Sequence, residues 1–212
     1  MSGVCGRPRE PIRSYSEPIE WLFVSRSKLD ALDHSKIEQL LPLVAPGLDR
    51  YLRIQTSLYR VNTAVDGDFQ RVFSGFYRVR RNSAWRSSFF RLLESEKATP
   101  HAFDLVIRKL HSSTGRIEAS FASKLVATVD PSQPVIDSIV LANVGMALPR
   151  AATTEERLAR ITQLHKRLRD VLTEFLTTAD GKYLVRRFQD RYANVDLTPV
   201  KMLDFVLWKL RE

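Results

Sequence analysis

From Glu20 onward the apolar residues recur mostly three and four positions apart, and no polar/apolar alternation runs long enough to build a major sheet. This periodicity predicts an all-α fold. Start and stop signals divide the chain into helices. A helix over 49–59, with Leu48, Leu52 and Leu58 on its apolar side, is expected to follow the Pro46-Gly47 break, and Ser83 is placed as the cap of a helix bearing Trp85, Phe89 and Leu92. Thr99-Pro100 reads as an N-cap followed by a helix-opening proline, with Phe103, Val106, Ile107 and Leu110 forming one face until Gly115. Thr153 and Glu156 have the spacing of a capping box ahead of Leu158, Ile161, Leu164, Leu168, Leu172 and Phe175, and Asp180-Gly181 is expected to end that helix. Thr198-Pro199 repeats the cap-and-proline device before Leu203, Val206, Leu207 and Leu210, so the last segment reads as a packed helix.

At 212 residues and 44% hydrophobic, the chain suffices for one substantial core and argues for one domain. That domain is expected over 19–212. Residues 1–18 hold Pro8, Pro11 and Pro18 among Gly3, Gly6, Arg7, Arg9 and Arg13, and read as a flexible basic arm or as a remnant with no role. The 33 Lys and Arg against 24 Asp and Glu leave a net charge of +9, which favours a polyanionic partner, of which DNA is the one expected. No apolar run is long enough for a bilayer and no signal-peptide pattern follows Met1, so a cytoplasmic monomer without a membrane is expected. A lone Cys5 and four scattered His residues predict neither a disulfide nor a metal site, and no cofactor is implied.

The stretch from Gly115 to Gly145 carries the chemistry. A short helix around Phe121 to Val129 is cut by Asp130-Pro131, and a second begins after Pro134. Asp137 stands at that second start, where free backbone N–H groups and the positive helix end favour an ionised carboxylate. A fixed anion suits N-glycosidic bond cleavage, because the sugar becomes positive as the base departs. Lys124, if desolvated on its helix, supplies an amine nucleophile. The plainer readings are a simple N-cap for Asp137, and a solvated side chain or phosphate contact for Lys124.

Phe121-Ala-Ser-Lys124 followed by Pro134-Val-Ile-Asp137 resembles the core of helix-hairpin-helix DNA glycosylases, and more closely bacterial proteins with an 8-oxoguanine-glycosylase-like fold, some of them phage-defence glycosylases. The resemblance spans roughly 73–145, with Thr198 to Leu210 as a second block. It implies a lysine on the second hairpin helix and an aspartate at the next helix start, the places of Lys124 and Asp137, with Ser123 beside them as a DNA contact. It also implies excision of a modified base, such as a glucosylated hydroxymethylcytosine of phage DNA, in antiviral defence, with AP-lyase cleavage by Lys124 an optional further step. The chain lacks the family's glycine-x-glycine hairpin, and its Lys124 to Asp137 interval is short for the family.

An enzyme that acts on a base must take it out of the stack. The segment from Phe76 to Arg86 interleaves Tyr77 and Trp85, as pocket candidates, with Arg78, Arg80, Arg81 and Arg86, as phosphate contacts. Asp204 and Trp208, four apart, are candidates for the same pocket, with Asp204 an acceptor for an exocyclic amine. Against this stands the reading of Phe76, Trp85 and Trp208 as core. Two function classes follow: a DNA glycosylase, or a non-catalytic helical DNA-binding or regulatory module using the same basic surface.

Overall fold

In the computed structural model, which describes residues 27–210, the helices run α1 (His34–Leu40), α2 (Ala45–Leu58), α3 (Gly67–Tyr77), α4 (Ser83–Ala98), α5 (Phe103–Thr114), α6 (Ala119–Val129), α7 (Ser138–Asn143), α8 (Thr154–Thr177), α9 (Ala179–Arg191) and α10 (Pro199–Lys209). Short 3₁₀ turns at Leu29–Ala31 and Leu41–Val44 precede α1 and α2. The all-helical expectation holds, and one core unites the elements. The basic arm expected over 1–18, Cys5 included, lies outside the described residues.

The core is built from one face of each helix, as the 3.6-residue period requires. Phe73, Phe89 and Phe90 are fully buried and their rings meet at centroid distances of 5.3–5.5 Å, tying α3 to α4. Helix α6 lies at the centre, packed against α4 and α5, with Ala122, Leu125 and Ala127 at 0% exposure. Helices α8, α9 and α10 pack against one another, and α10 also lies on α1 and α7. Asn143 joins α7 to the end of α10 by donating to the Leu207 and Leu210 carbonyls, both at 2.8 Å. Those are C-terminal carbonyls of α10, of the kind a helix leaves without an internal partner.

Several boundaries differ from those the sequence suggests. Pro46-Gly47 does not break the chain but sits in the first turn of α2, where a missing N–H costs nothing. Thr99-Pro100 does not cap α5: Thr99 terminates α4, and α5 starts behind Ala102 without a side-chain cap. Asn82, not Ser83, caps α4, accepting from Trp85 N. Thr153 does cap α8, accepting from Glu156 N, while the Glu156 carboxylate reaches back to Ala152 N.

Asp180-Gly181 opens α9 instead of closing α8. Thr178 ends one helix and caps the next, its Oγ1 accepting from Gly181 N and donating to the Phe175 carbonyl. The two backbones therefore almost touch at Gly181, where a Cβ would sit within 2.7 Å of Leu176 Cα and closer still to the Phe175 carbonyl oxygen. In an open helix, alanine for glycine gains about 1 kcal/mol. Here the clash is with backbone that has no rotamer to escape into, so Gly181→Ala is expected to destabilise by about 1–3 kcal/mol. Urea denaturation checks the sign, and a higher midpoint for the variant would contradict the close approach.

Candidate functional site

Asp137 is the N-cap of α7, and its Oδ1 accepts from Ile139 N at 2.9 Å. The segment that delivers it, residues 130–137, is held at three points. Thr198 Oγ1, from the cap of α10, donates to the Pro131 carbonyl at 2.6 Å. His165 of α8 bonds the Pro134 carbonyl through Nε2 at 3.2 Å, and since a carbonyl only accepts, Nε2 carries the proton. Burial pushes this imidazole down to about 4, against the pull of the Pro134 carbonyl, so it is neutral at pH 7. It stacks flat on Phe103 at 4.0 Å. Ser123 Oγ of α6 accepts from Ile136 N at 2.8 Å.

Asp137 opens onto a cavity of about 290 Å³, lined by the end of α3 (Phe76, Tyr77, Arg78), by Phe121 and Lys124 of α6, by Val135, Ser138 and Ile139 around the α7 start, and by Asp204, Phe205 and Trp208 of α10. Six of the residues singled out from sequence thus meet in one place: Tyr77, Arg78, Lys124, Asp137, Asp204 and Trp208. The volume is at the small end of ligand sites, and the aromatic walls with a few charged groups have their usual character.

Lys124 is half-buried on the second helix of the α5–α6 pair, whose turn is made by Gly115 in the left-handed conformation. Its ammonium donates to the Tyr77 carbonyl at 3.4 Å and lies 5.2 Å from the Phe121 ring centroid. Burial pushes Lys124 below its ordinary value, Asp137 and Asp204 hold it up, and Arg78 pushes it down again. A lysine so placed is a better nucleophile than a surface lysine. Tyr77 is buried, its hydroxyl accepts from Thr128 Oγ1 at 3.4 Å, and burial raises its phenol, so it stays neutral.

Arg78 is the one non-glycine residue at positive φ among the described residues, with φ 54° and ψ 47°. This conformation costs an L-residue roughly 1–2 kcal/mol. It closes α3, with the Arg78 N–H donating to the Ser74 carbonyl, and lays the guanidinium 5.3 Å from the Trp208 ring centroid at the cavity rim. Arg80 and Arg86 are exposed. Arg81 is held by a two-point pair with Glu118, both bonds at 3.0 Å.

Two expectations are corrected. Ser123 is no DNA contact: it is 0% exposed, donates to the Ser120 carbonyl, and braces the 130–137 segment from inside. Trp85 does not line the cavity with Tyr77. It is 6% exposed, stacked on Phe89 at 5.2 Å and against Phe121 at 4.9 Å, because position 85 falls on the core face of α4. Sequence reasoning missed Lys201 and His165. A lysine three residues before Asp204, in a helix otherwise apolar there, was the available signal for the first.

A larger cavity, about 390 Å³, lies on the other side of α6 against α5 and α8. Of the acids that line it, Glu96 is committed to His101 and Lys109, and Asp130 to Ser132 and Gln133. Among the described residues no three His, Cys, Asp or Glu side chains group as a metal site, and no helix is long and apolar enough to cross a membrane. No protein-family model, curated protein or solved structure matches the chain.

Removing the Ser123 hydroxyl leaves a buried N–H at Ile136 without an acceptor. Ser123→Ala is expected to cost about 1–3 kcal/mol in denaturant unfolding. A loss under about 0.5 kcal/mol, the scatter of ordinary surface changes, would show that the segment is held without it.

Proposed function

We propose that the chain is a DNA glycosylase that receives an extruded base in the cavity between α3, α6, α7 and α10 and cleaves its N-glycosidic bond, leaving an abasic site. The observation that carries this reading is the convergence of Asp137, Lys124 and Asp204 with Tyr77, Phe121 and Trp208 in one small cavity rimmed by Arg78. Aromatic walls suit a base, and a cationic rim suits the phosphates on either side of it. Trp208 and Phe205 offer ring surface. Arg78, with the exposed Arg80 and Arg86, offers charge to the backbone.

In the reaction the C1′–N bond breaks, its electron pair leaves with the base, and the sugar becomes an oxocarbenium ion. The Asp137 carboxylate, held at a helix start by its bond to Ile139 N, stabilises that cation without reorganising. Water then adds to C1′, and its proton passes through the carboxylate to the departing base. Lys124 supports a second course, in which its neutral amine adds to C1′ and the opened sugar gives a Schiff base. The hypermodified cytosine of phage DNA, and the antiviral role, are proposed on the sequence resemblance alone.

A non-catalytic DNA-binding module is the second reading, favoured by one observation: Asp137 makes the bond that a purely structural cap makes. The variant Asp137→Asn separates the two, because the amide oxygen keeps the cap while the charge is removed. With DNAs carrying natural and phage-modified bases and an abasic-site assay, the parent is expected to release base and Asp137→Asn to do so about 10²- to 10³-fold more slowly while remaining folded. Parental rates in a folded Asp137→Asn would remove the mechanism, and no release from any DNA would favour the binding module.

A further inference from the structure

Lys201 stands behind the cavity wall, and none of the chemistry above uses it. It precedes Asp204 by one turn of α10 and is 2% exposed. Its ammonium donates to Asp204 Oδ2 at 3.0 Å, and Asp204 is its one hydrogen-bond acceptor among the described residues. On its other side lies Tyr51, whose ring centroid is 5.3 Å from the ammonium. Tyr51 is wholly buried against Phe76 and Phe205, two residues of the cavity wall, and its hydroxyl meets no hydrogen-bond partner among the described residues. Burial raises that phenol, so it contributes no negative charge. Burial alone would push Lys201 down, and the Asp204 carboxylate holds it above its ordinary value.

A buried ion pair fills space no better than apolar residues of like volume, and often worse. What it does that they cannot is fix a charge and an orientation. With Oδ2 engaged by Lys201, the Asp204 carboxylate cannot turn away. Its remaining lone pairs are acceptors only, and Asp204 lines the cavity with 17% of its side chain exposed.

We propose that Lys201 is a positioning residue that fixes Asp204 as an acceptor-only anion in the cavity wall, so that the site admits a base presenting an amino group there and rejects one presenting a carbonyl oxygen. The proposal rests on the cavity being a base site. An amino group donates to the carboxylate, whereas a carbonyl at the same place sets acceptor against acceptor. The remaining charged neighbours in the cavity, Arg78 of α3, Lys124 of α6 and Asp137 at the α7 start, leave Lys201 as the group bonded to Asp204.

The test is equilibrium binding, by fluorescence anisotropy, to duplexes carrying one 5-hydroxymethylcytosine or one 5-hydroxymethyluracil opposite an abasic position. The two bases share the 5-hydroxymethyl group and differ at position 4, amino against carbonyl, and in the proton that the second carries on N3. The parent is expected to bind the amino base about 10- to 100-fold more tightly, the effect of one hydrogen bond to a charged group. Folded Lys201→Met, checked by circular dichroism, is expected to lose most of that preference, and Lys201→Arg, which keeps a cationic donor for Asp204, to retain more of it than Lys201→Met, a rescue that a mere packing role would not produce. Asp204→Asn, whose amide both donates and accepts, is expected to lose the preference with Lys201 in place, which keeps the test open should Lys201→Met not fold. Equal binding of the two duplexes by the parent, or full preference retained in Lys201→Met or Asp204→Asn, would overturn the proposal. Because the readout is binding, a parent that prefers the amino base but releases neither keeps this inference and loses the glycosylase reading, and base release without preference does the reverse.

Discussion

The site depends on how residues 130–137 are held, because this stretch has no secondary structure of its own and yet carries Asp137. Pro131 and Pro134 supply no N–H, and the backbone bond within the stretch, Gln133 N–H to the Asp130 carbonyl, only closes a turn, so side chains tie it to the surrounding helices. Ser123, His165 and Thr198 supply them from α6, α8 and α10, three helices far apart in sequence. A segment pinned to three helices moves only if the core moves. In the proposed reaction, that is the fixed placement of Asp137 that electrostatic stabilisation of a short-lived cation requires.

The charges around the cavity follow a division of labour. Lys201 sits fully within the core and is bonded to Asp204, while Lys124 is half-buried, bonded to a neutral carbonyl, and lowered by burial. Two lysines in one small region thus end in opposite states: one held charged by a carboxylate, one eased toward the neutral amine. Arg78 contributes to that easing and is kept in reach by a left-handed backbone that an arginine adopts only at a cost.

Much of this was legible in the sequence, and the limits have physical causes. The all-helical fold followed from the apolar period, and the placing of Asp137 at a helix start followed from Pro134 and the break at Asp130-Pro131. Six of the candidate side chains share one cavity. Helix α9 was not read because Asp180-Gly181 has the composition of a stop, and only the backbone crowding at Gly181 explains why glycine is needed at a helix start. Ser123 and Trp85 went astray for one reason: a polar residue beside a lysine and an aromatic beside arginines look functional until their helix face is known, and both faces turn inward. His165 was invisible because its partner is a backbone carbonyl 31 positions away.

The central claim is that the cavity between α3, α6, α7 and α10 receives a base and sets Asp137 against its sugar. The most direct measurement is a crystal structure of Asp137→Asn bound to a duplex with one modified nucleotide opposite an abasic position. The account predicts that nucleotide turned out of the stack, its base among Phe121, Phe205 and Trp208, its C1′ facing residue 137, and its flanking phosphates near Arg78. A duplex bound elsewhere, or bound there with the base still stacked and the cavity empty, would contradict it.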